Sequence, residues 1–119
     1  MMPETLRYLF VCHANMDRSP TAEAVCQRIA RKNGLDIEAS SAGVSRRATR
    51  PVTKEMADLA DKIFVMEPSM VDEMVERYGQ NPAKIVCLDI LDVYVQNDPV
   101  LVQRLEAKMY EYLAQEGLV

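Results

Sequence analysis

Leu6–Val25 reads LRYLFVCHANMDRSPTAEAV and joins a short apolar run to the start of a helix. Residues 6–11 have the β-branched and aromatic side chains of a buried strand, which ends at Cys12. Ser19 and Pro20 suit a helix N-cap and first turn, because a serine oxygen can accept a backbone N–H and proline needs no N–H there. A strand, a turn and a helix N-terminus together present unpaired backbone N–H groups. The stretch therefore predicts an anion site between strand and helix.

Strands and helices alternate along the rest of the chain. Further strands are expected at 35–42, 62–66 and 84–88, and further helices from 53, from 67–69 and from 99. This alternation predicts an α/β fold, a three-layer α/β/α sandwich in which a parallel sheet is covered on both faces and wound right-handed. Ligands bind such sheets beyond the carboxyl ends of the strands. We therefore expect the loops at 43–52, 67–69 and 89–99 to share one rim with Cys12.

Composition narrows the class of protein. The 119 residues suit one domain over 1–119, and a net charge of −4 argues against general nucleic-acid binding. No apolar run approaches the roughly 20 residues of a membrane span. Met1–Thr5 lacks the segments of a secretion signal, and three cysteines, an odd number, suit a reducing cytoplasm. No cluster of residues has metal-ligand spacing, so neither a metal nor a cofactor is expected.

Cys12 is the candidate nucleophile for hydrolysis of a phosphate monoester. A helix N-terminus beside a cation favours the thiolate, which would attack phosphorus and give a phosphocysteine that water later hydrolyses. Arg18 is expected to grip two phosphate oxygens through its planar fork. Amides of the turn would bind the other oxygens, so the phosphate-binding candidates are His13, Ala14, Asn15, Met16, Asp17 and Ser19.

The leaving group needs a proton, and a carboxylic acid on a neighbouring loop is the usual donor. Asp92 is the first candidate, with Asp89 and Asp98 as alternatives. Ser19 would hydrogen-bond the sulfur and stabilise it as a leaving group in the second step. Asn15 would hold the turn rigid, because asparagine suits tight turns.

The residues from Val11 to Glu23 resemble the phosphate-binding loop of the low-molecular-weight protein tyrosine phosphatases. Other pieces follow in that family's order: Ser41-Ala42-Gly43, Val65-Met66-Glu67 and Asp92-Val93-Tyr94. The resemblance implies a four-stranded parallel sheet with flavodoxin-like winding. It implies these roles: nucleophile Cys12, phosphate clamp Arg18, sulfur partner Ser19, general acid Asp92 and crevice-lining Tyr94. The implied ligands are a phosphotyrosine-containing protein or small aryl phosphate, and inorganic phosphate or another oxyanion.

Three residues depart from that family's pattern. Asp17 stands where a cysteine or an apolar residue is common, Val93 replaces a proline and Val95 a second tyrosine. A carboxylate directed at the sulfur would oppose both a thiolate and a phosphate dianion. Two other functions therefore stay open: a catalytically weak phosphate- or phosphopeptide-binding module, and arsenate reduction, which would need resolving cysteines near the first. Cys26 and Cys87 are instead expected at core positions of a helix and a strand.

Overall fold

A computed structural model describes residues 5–119. Its elements are β1 (Leu6–Cys12), α1 (Arg18–Lys32), β2 (Ile37–Gly43), α2 (Lys54–Leu59), β3 (Lys62–Val65), α3 (Pro68–Glu76), β4 (Ile85–Cys87) and α4 (Pro99–Gln115), with a 3₁₀ turn at Pro82–Lys84. The predicted strands and helices are all present, with ends within a few residues of those expected. None of the helices described is long and apolar enough to cross a membrane.

The sheet has the order β2-β1-β3-β4, and each neighbouring pair is parallel. β1 lies between β2 and β3, so the winding reverses direction at β1. Cys12 pairs with Gly43, which places the end of β1 beside the end of β2. The predicted four-stranded parallel sheet with flavodoxin-like winding is confirmed.

Helices cover the sheet in layers. α1 packs against α4, whereas α2 and α3 contact the central strands β1 and β3. Since right-handed crossovers place a helix on one face or the other according to the direction of winding, the reversal at β1 puts α1 opposite α2 and α3. Aromatic rings fill the core beneath α4: Phe64 stacks on Phe10 with centroids 4.9 Å apart and meets Tyr112 edge-on at 5.0 Å. The prediction of one domain over 1–119 stays a prediction, because residues 1–4 lie outside the described part.

One core assignment was wrong. Cys26 is buried in α1, as predicted, but Cys87 is exposed. The physical reason is the position of β4, which is the edge strand of the sheet, is only three residues long and is at most half-buried. The apolar run at 84–88 therefore indicated the strand but not its exposure.

Candidate active site

The sulfur of Cys12 lies at the carboxyl end of β1 and is the centre of a small hydrogen-bonded cluster. The backbone N–H of Asn15 donates to Sγ at 3.2 Å, and the Ser19 hydroxyl oxygen lies 3.0 Å from Sγ. The side-chain amide of Asn15 donates to the same Ser19 oxygen at 2.9 Å. Either atom of the Ser19–Cys12 pair can donate, and the Ser19 hydroxyl also lies 3.4 Å from the backbone oxygen of Ala42, to which it can donate. When the sulfur is an anion only the hydroxyl carries a proton, so Ser19 then donates to it together with the Asn15 N–H, which suits an anionic nucleophile and leaving group.

Ser19 is not the helix cap that its sequence context predicted. α1 begins one residue earlier, at Arg18, and Asp17 stands at the N-cap. The Ser19 hydroxyl is fully buried against the sulfur and Asn15, so it does not cap the helix. Ser19, which the sequence pattern predicted as a helix cap, is therefore part of the active site.

The turn between β1 and α1, residues 13–17, is held by its own backbone and by the neighbouring loop. Asn15 has a φ of 55°, a left-handed conformation that asparagine tolerates better than most residues. From the loop at 43–52, Ser45 N–H donates to His13 O at 2.9 Å and Thr49 N–H donates to Ala14 O at 3.0 Å. The loop at 43–52 thus fixes the conformation of the turn at 13–17.

Gly43 is expected to tolerate no side chain. A Cβ there would lie 2.6 Å from Ala48 Cβ, 2.7 Å from His13 O and 2.9 Å from Asn15 N. Gly43→Ala must therefore displace the turn, at a cost of about 1–3 kcal/mol of unfolding free energy, with a loss of aryl phosphate turnover. Chemical denaturation and initial rates measure the two effects. Adding Ala48→Gly removes only one of the three close contacts and should rescue stability partially. Full rescue would contradict the role of the two backbone contacts.

The guanidinium of Arg18 is buried and fixed from three sides. Nη1 donates to the backbone oxygen of Ile90 at 2.8 Å, and Nη2 lies 3.2 Å from Glu67 Oε2. A buried charge is stable only when it is paired and hydrogen-bonded, and these two partners supply that. Nε lies 3.6 Å from Asp92 Oδ1, whose side chain is 64% exposed. The acid candidate and the phosphate clamp candidate are thus adjacent.

Glu67 is a site residue that the sequence reasoning missed. It stands at the N-cap of α3, but its carboxylate reaches Arg18 instead of capping the helix. A signal was available, because Glu67 follows the end of β3, and β3 is the neighbour of β1. A carboxylate at that rim is well placed to pair with a buried arginine.

A cavity of about 100 Å³ opens over the sulfur. Its lining residues are Cys12, His13, Ala14, Met16, Asp17, Arg18 and Asp92. Asp89 and Asp98 are not in this lining, and the Asp98 carboxylate caps α4 by accepting Val100 N–H at 2.8 Å. Tyr94 is also outside the lining: it is half-buried and packs against the core. The structure therefore brings together most of the predicted site residues but not Tyr94.

Cys26 is chemically distinct from Cys12. Burial raises the pKa of the Cys26 thiol to about 12, so it stays neutral at physiological pH. Cys87 is exposed on β4, which β3 separates from β1. The two further cysteines are therefore not assembled with Cys12 into one site.

Comparison with known proteins agrees with this geometry. A model of the family described as low molecular weight phosphotyrosine protein phosphatase matches residues 7–90. A protein-arginine-phosphatase from Bacillus subtilis is 28% identical over an alignment that covers 67% of this chain and 68% of that relative.

Solved structures share the fold. A mutant of YwlE from Bacillus subtilis superposes with a TM-score of 0.79 at 24% identity, covering 95% of this chain and 99% of the other. A low molecular weight protein tyrosine phosphatase from T. tengcongensis gives 0.76 at 21% identity, covering 93% and 99%. The family match spans most of this chain, including the cysteine turn and the glutamate that holds its arginine. The chain therefore belongs to the low molecular weight phosphotyrosine protein phosphatase family, and the predicted cysteine-dependent phosphatase activity is the activity of that family.

Proposed function

We propose that this phosphatase acts on phosphotyrosine in proteins, with Cys12 as nucleophile, Arg18 as phosphate clamp and Asp92 as general acid. One observation carries the proposal: the three side chains line a single cavity, in which Asp92 Oδ1 lies 3.6 Å from Arg18 Nε. The backbone N–H groups at the start of α1 have no partner within the helix, which suits them to phosphate oxygens.

The reaction proceeds in two displacements. The Cys12 sulfur forms a bond to phosphorus as the bond to the phenolic oxygen breaks, and Asp92 gives its proton to that oxygen. Water then attacks the phosphocysteine and loses a proton to the Asp92 carboxylate, which releases inorganic phosphate and the sulfur anion. Ser19 stabilises the departing sulfur from 3.0 Å. Arg18 and the turn amides neutralise the phosphoryl oxygens in both steps.

One apolar side chain in the cavity lining, and exposed apolar residues close to Asp92 in sequence, favour an aromatic substrate. Met16 lines the cavity and is 61% exposed, and a thioether makes favourable contacts with aromatic rings. Leu91, Val93 and Val95 flank Asp92 in sequence and are all about 70% exposed. A tyrosine ring entering the cavity, with apolar neighbours in the substrate chain, would cover this surface.

Phosphoarginine is the second candidate substrate. The curated relative is a protein-arginine-phosphatase, and two carboxylates, Asp17 and Asp92, line the cavity where a guanidinium leaving group would lie. Asp17 Oδ1 accepts the N–H of Gln96 at 2.9 Å, which directs that oxygen toward the loop after β4. We rank phosphotyrosine first because the exposed Met16 side chain in the cavity lining suits an aromatic ring.

Parallel rates on an aryl phosphate and on free phosphoarginine, with EDTA present, test the choice. We expect kcat/KM for the aryl phosphate to be higher by about tenfold or more, the size of effect that one apolar contact gives. Met16→Asp adds a carboxylate beside the leaving group and should narrow this preference. A higher kcat/KM for phosphoarginine in the unsubstituted protein would overturn the phosphotyrosine assignment in favour of the second candidate.

A cytoplasmic location is part of the proposal. The three cysteines are all free, and a nucleophilic cysteine works only while its thiol stays reduced. A reducing compartment supplies that condition.

A further inference from the structure

The segment that carries Asp92 has few anchors of its own. Residues 89–98, here named the acid loop, join β4 to α4 without helix or strand. At its start Ile90 is buried, and its N–H donates to Met66 O at 2.9 Å. From Leu91 to Val95 only Tyr94 packs against the core. The position of Asp92 therefore depends on how the far end of the loop is held.

Two backbone N–H groups of that far end donate hydrogen bonds to the N-cap and the first turn of α1. Asp17 Oδ1 accepts the backbone N–H of Gln96 at 2.9 Å, and Thr21 Oγ1 accepts the backbone N–H of Asn97 at 3.0 Å. The Thr21 hydroxyl in turn donates to the backbone oxygen of Asp17 at 2.7 Å. These contacts, here named the tether, connect the acid loop to the same helix N-terminus that carries Arg18.

Because of the tether, the backbone is held by hydrogen bonds on both sides of Asp92. On one side Arg18 holds the backbone oxygen of Ile90 at 2.8 Å, and on the other Asp17 holds Gln96. Asp92 lies on the short span between these two points. Both points are hydrogen-bonded to consecutive residues at the start of α1, which ties the backbone on either side of Asp92 to the residue that carries the phosphate clamp.

The tether also explains how the Asp17 carboxylate can be present in a site proposed to bind phosphate. Asp17 belongs to the cavity lining, and a negative charge there opposes phosphate, but the N–H of Gln96 hydrogen-bonds its Oδ1 and partly compensates that charge. A carboxylate at an N-cap is in addition stabilised by the helix dipole. The charge is therefore tolerated where it stands.

We propose that Asp17 is a positioning residue that holds the acid loop so that Asp92 can protonate the leaving group. This inference rests on the proposed function, in which Asp92 is the general acid. Asp17 accepts a hydrogen bond in this role and does not touch the phosphoryl group through its carboxylate. The acceptor oxygen matters, and the negative charge does not.

Leaving-group sensitivity separates this role from others. Phenol leaving groups much more acidic than tyrosine depart without a proton, whereas phenyl phosphate needs the acid. We compare kcat/KM, which reports formation of the phosphocysteine, for one activated aryl phosphate and for phenyl phosphate. Asp92→Asn is the reference variant: we expect its loss of kcat/KM to be at least about tenfold larger on phenyl phosphate than on the activated ester.

Asp17→Ala is expected to reproduce that pattern in weaker form, with a several-fold larger loss on phenyl phosphate. Asp17→Asn keeps an acceptor oxygen and should restore most of the loss. Asp61→Ala is the matched control, because Asp61 Oδ2 also accepts a backbone N–H, that of Arg7 at 2.7 Å, away from the cavity. In an Asp92→Asn background, Asp17→Ala should change leaving-group sensitivity no further.

Three outcomes overturn the inference. If Asp17→Ala and Asp17→Asn shift both substrates equally, Asp17 acts through its charge on the phosphate, and Asp92 keeps its assignment. If Asp17→Ala has no effect on either substrate, the tether does not position the acid. If Asp92→Asn lowers kcat/KM equally on both esters, Asp92 is not the general acid, and the positioning role of Asp17 is then overturned as well. Should Asp17→Ala fold poorly in thermal melts, Thr21→Val tests the other half of the tether with the same expected pattern.

Discussion

Replacing Cys12 by serine is expected to abolish turnover of aryl phosphates while leaving phosphate binding nearly unchanged. A hydroxyl is a far weaker nucleophile than a thiolate, and the site holds no base within the sulfur's hydrogen-bond cluster to activate it. Removal of a nucleophile typically costs about 10⁴-fold or more in kcat. Arg18 and the turn amides stay in place, so calorimetric titration with inorganic phosphate should give a dissociation constant close to that of the parent protein.

Cys87→Ser is the matched control for this prediction. Cys87 is free and exposed on the edge strand, so its loss should leave kcat and KM unchanged. In that background iodoacetate should inactivate the protein through one thiol, and inorganic phosphate should protect it. Cys26 should not react, because burial raises the pKa of its thiol to about 12. Full activity in Cys12→Ser would exclude the sulfur as nucleophile.

The nucleophile turn could be predicted from sequence because its residues are close together along the chain. A buried strand, a cysteine and a helix start a few residues later dictate an anion site locally. The rim could also be predicted, since Gly43 ends one strand of the parallel sheet, and Glu67 and the acid loop follow the ends of two others. These inferences need only topology, and topology follows from the alternation of strands and helices.

Side-chain partners across the rim could not be predicted in the same way. Glu67 is 49 residues from Arg18, and Gln96 is 79 residues from Asp17, so nothing local in the sequence pairs them. Three consecutive residues, Val93, Tyr94 and Val95, gave no indication of which one turns inward. In the structure Tyr94 is half-buried against the core and the two valines are exposed. The exposure of Cys87 had the same origin, because an apolar triplet does not reveal an edge strand.

Arg18→Lys is expected to lower kcat/KM for an aryl phosphate by about 10²–10³-fold, the cost of losing one oxyanion donor. Lysine keeps the positive charge but offers one ammonium in place of a planar fork. The guanidinium already uses Nη1 for Ile90 O and Nη2 for Glu67. A single ammonium cannot hold both partners and still present donors to two phosphoryl oxygens. Inorganic phosphate should also bind more weakly, as measured by its competitive inhibition.

Arg28→Lys provides the control, because Arg28 pairs with Glu106 on the surface and such exposed pairs contribute little. Its kinetic constants and unfolding midpoint should match those of the parent protein. A kcat/KM for Arg18→Lys within about threefold of the parent value would mean that charge alone suffices, and the fork would lose its role. If the variant keeps its melting temperature but loses turnover, the loss belongs to phosphoryl recognition. The site then requires the planar guanidinium at residue 18, which a backbone oxygen and a carboxylate hold in place.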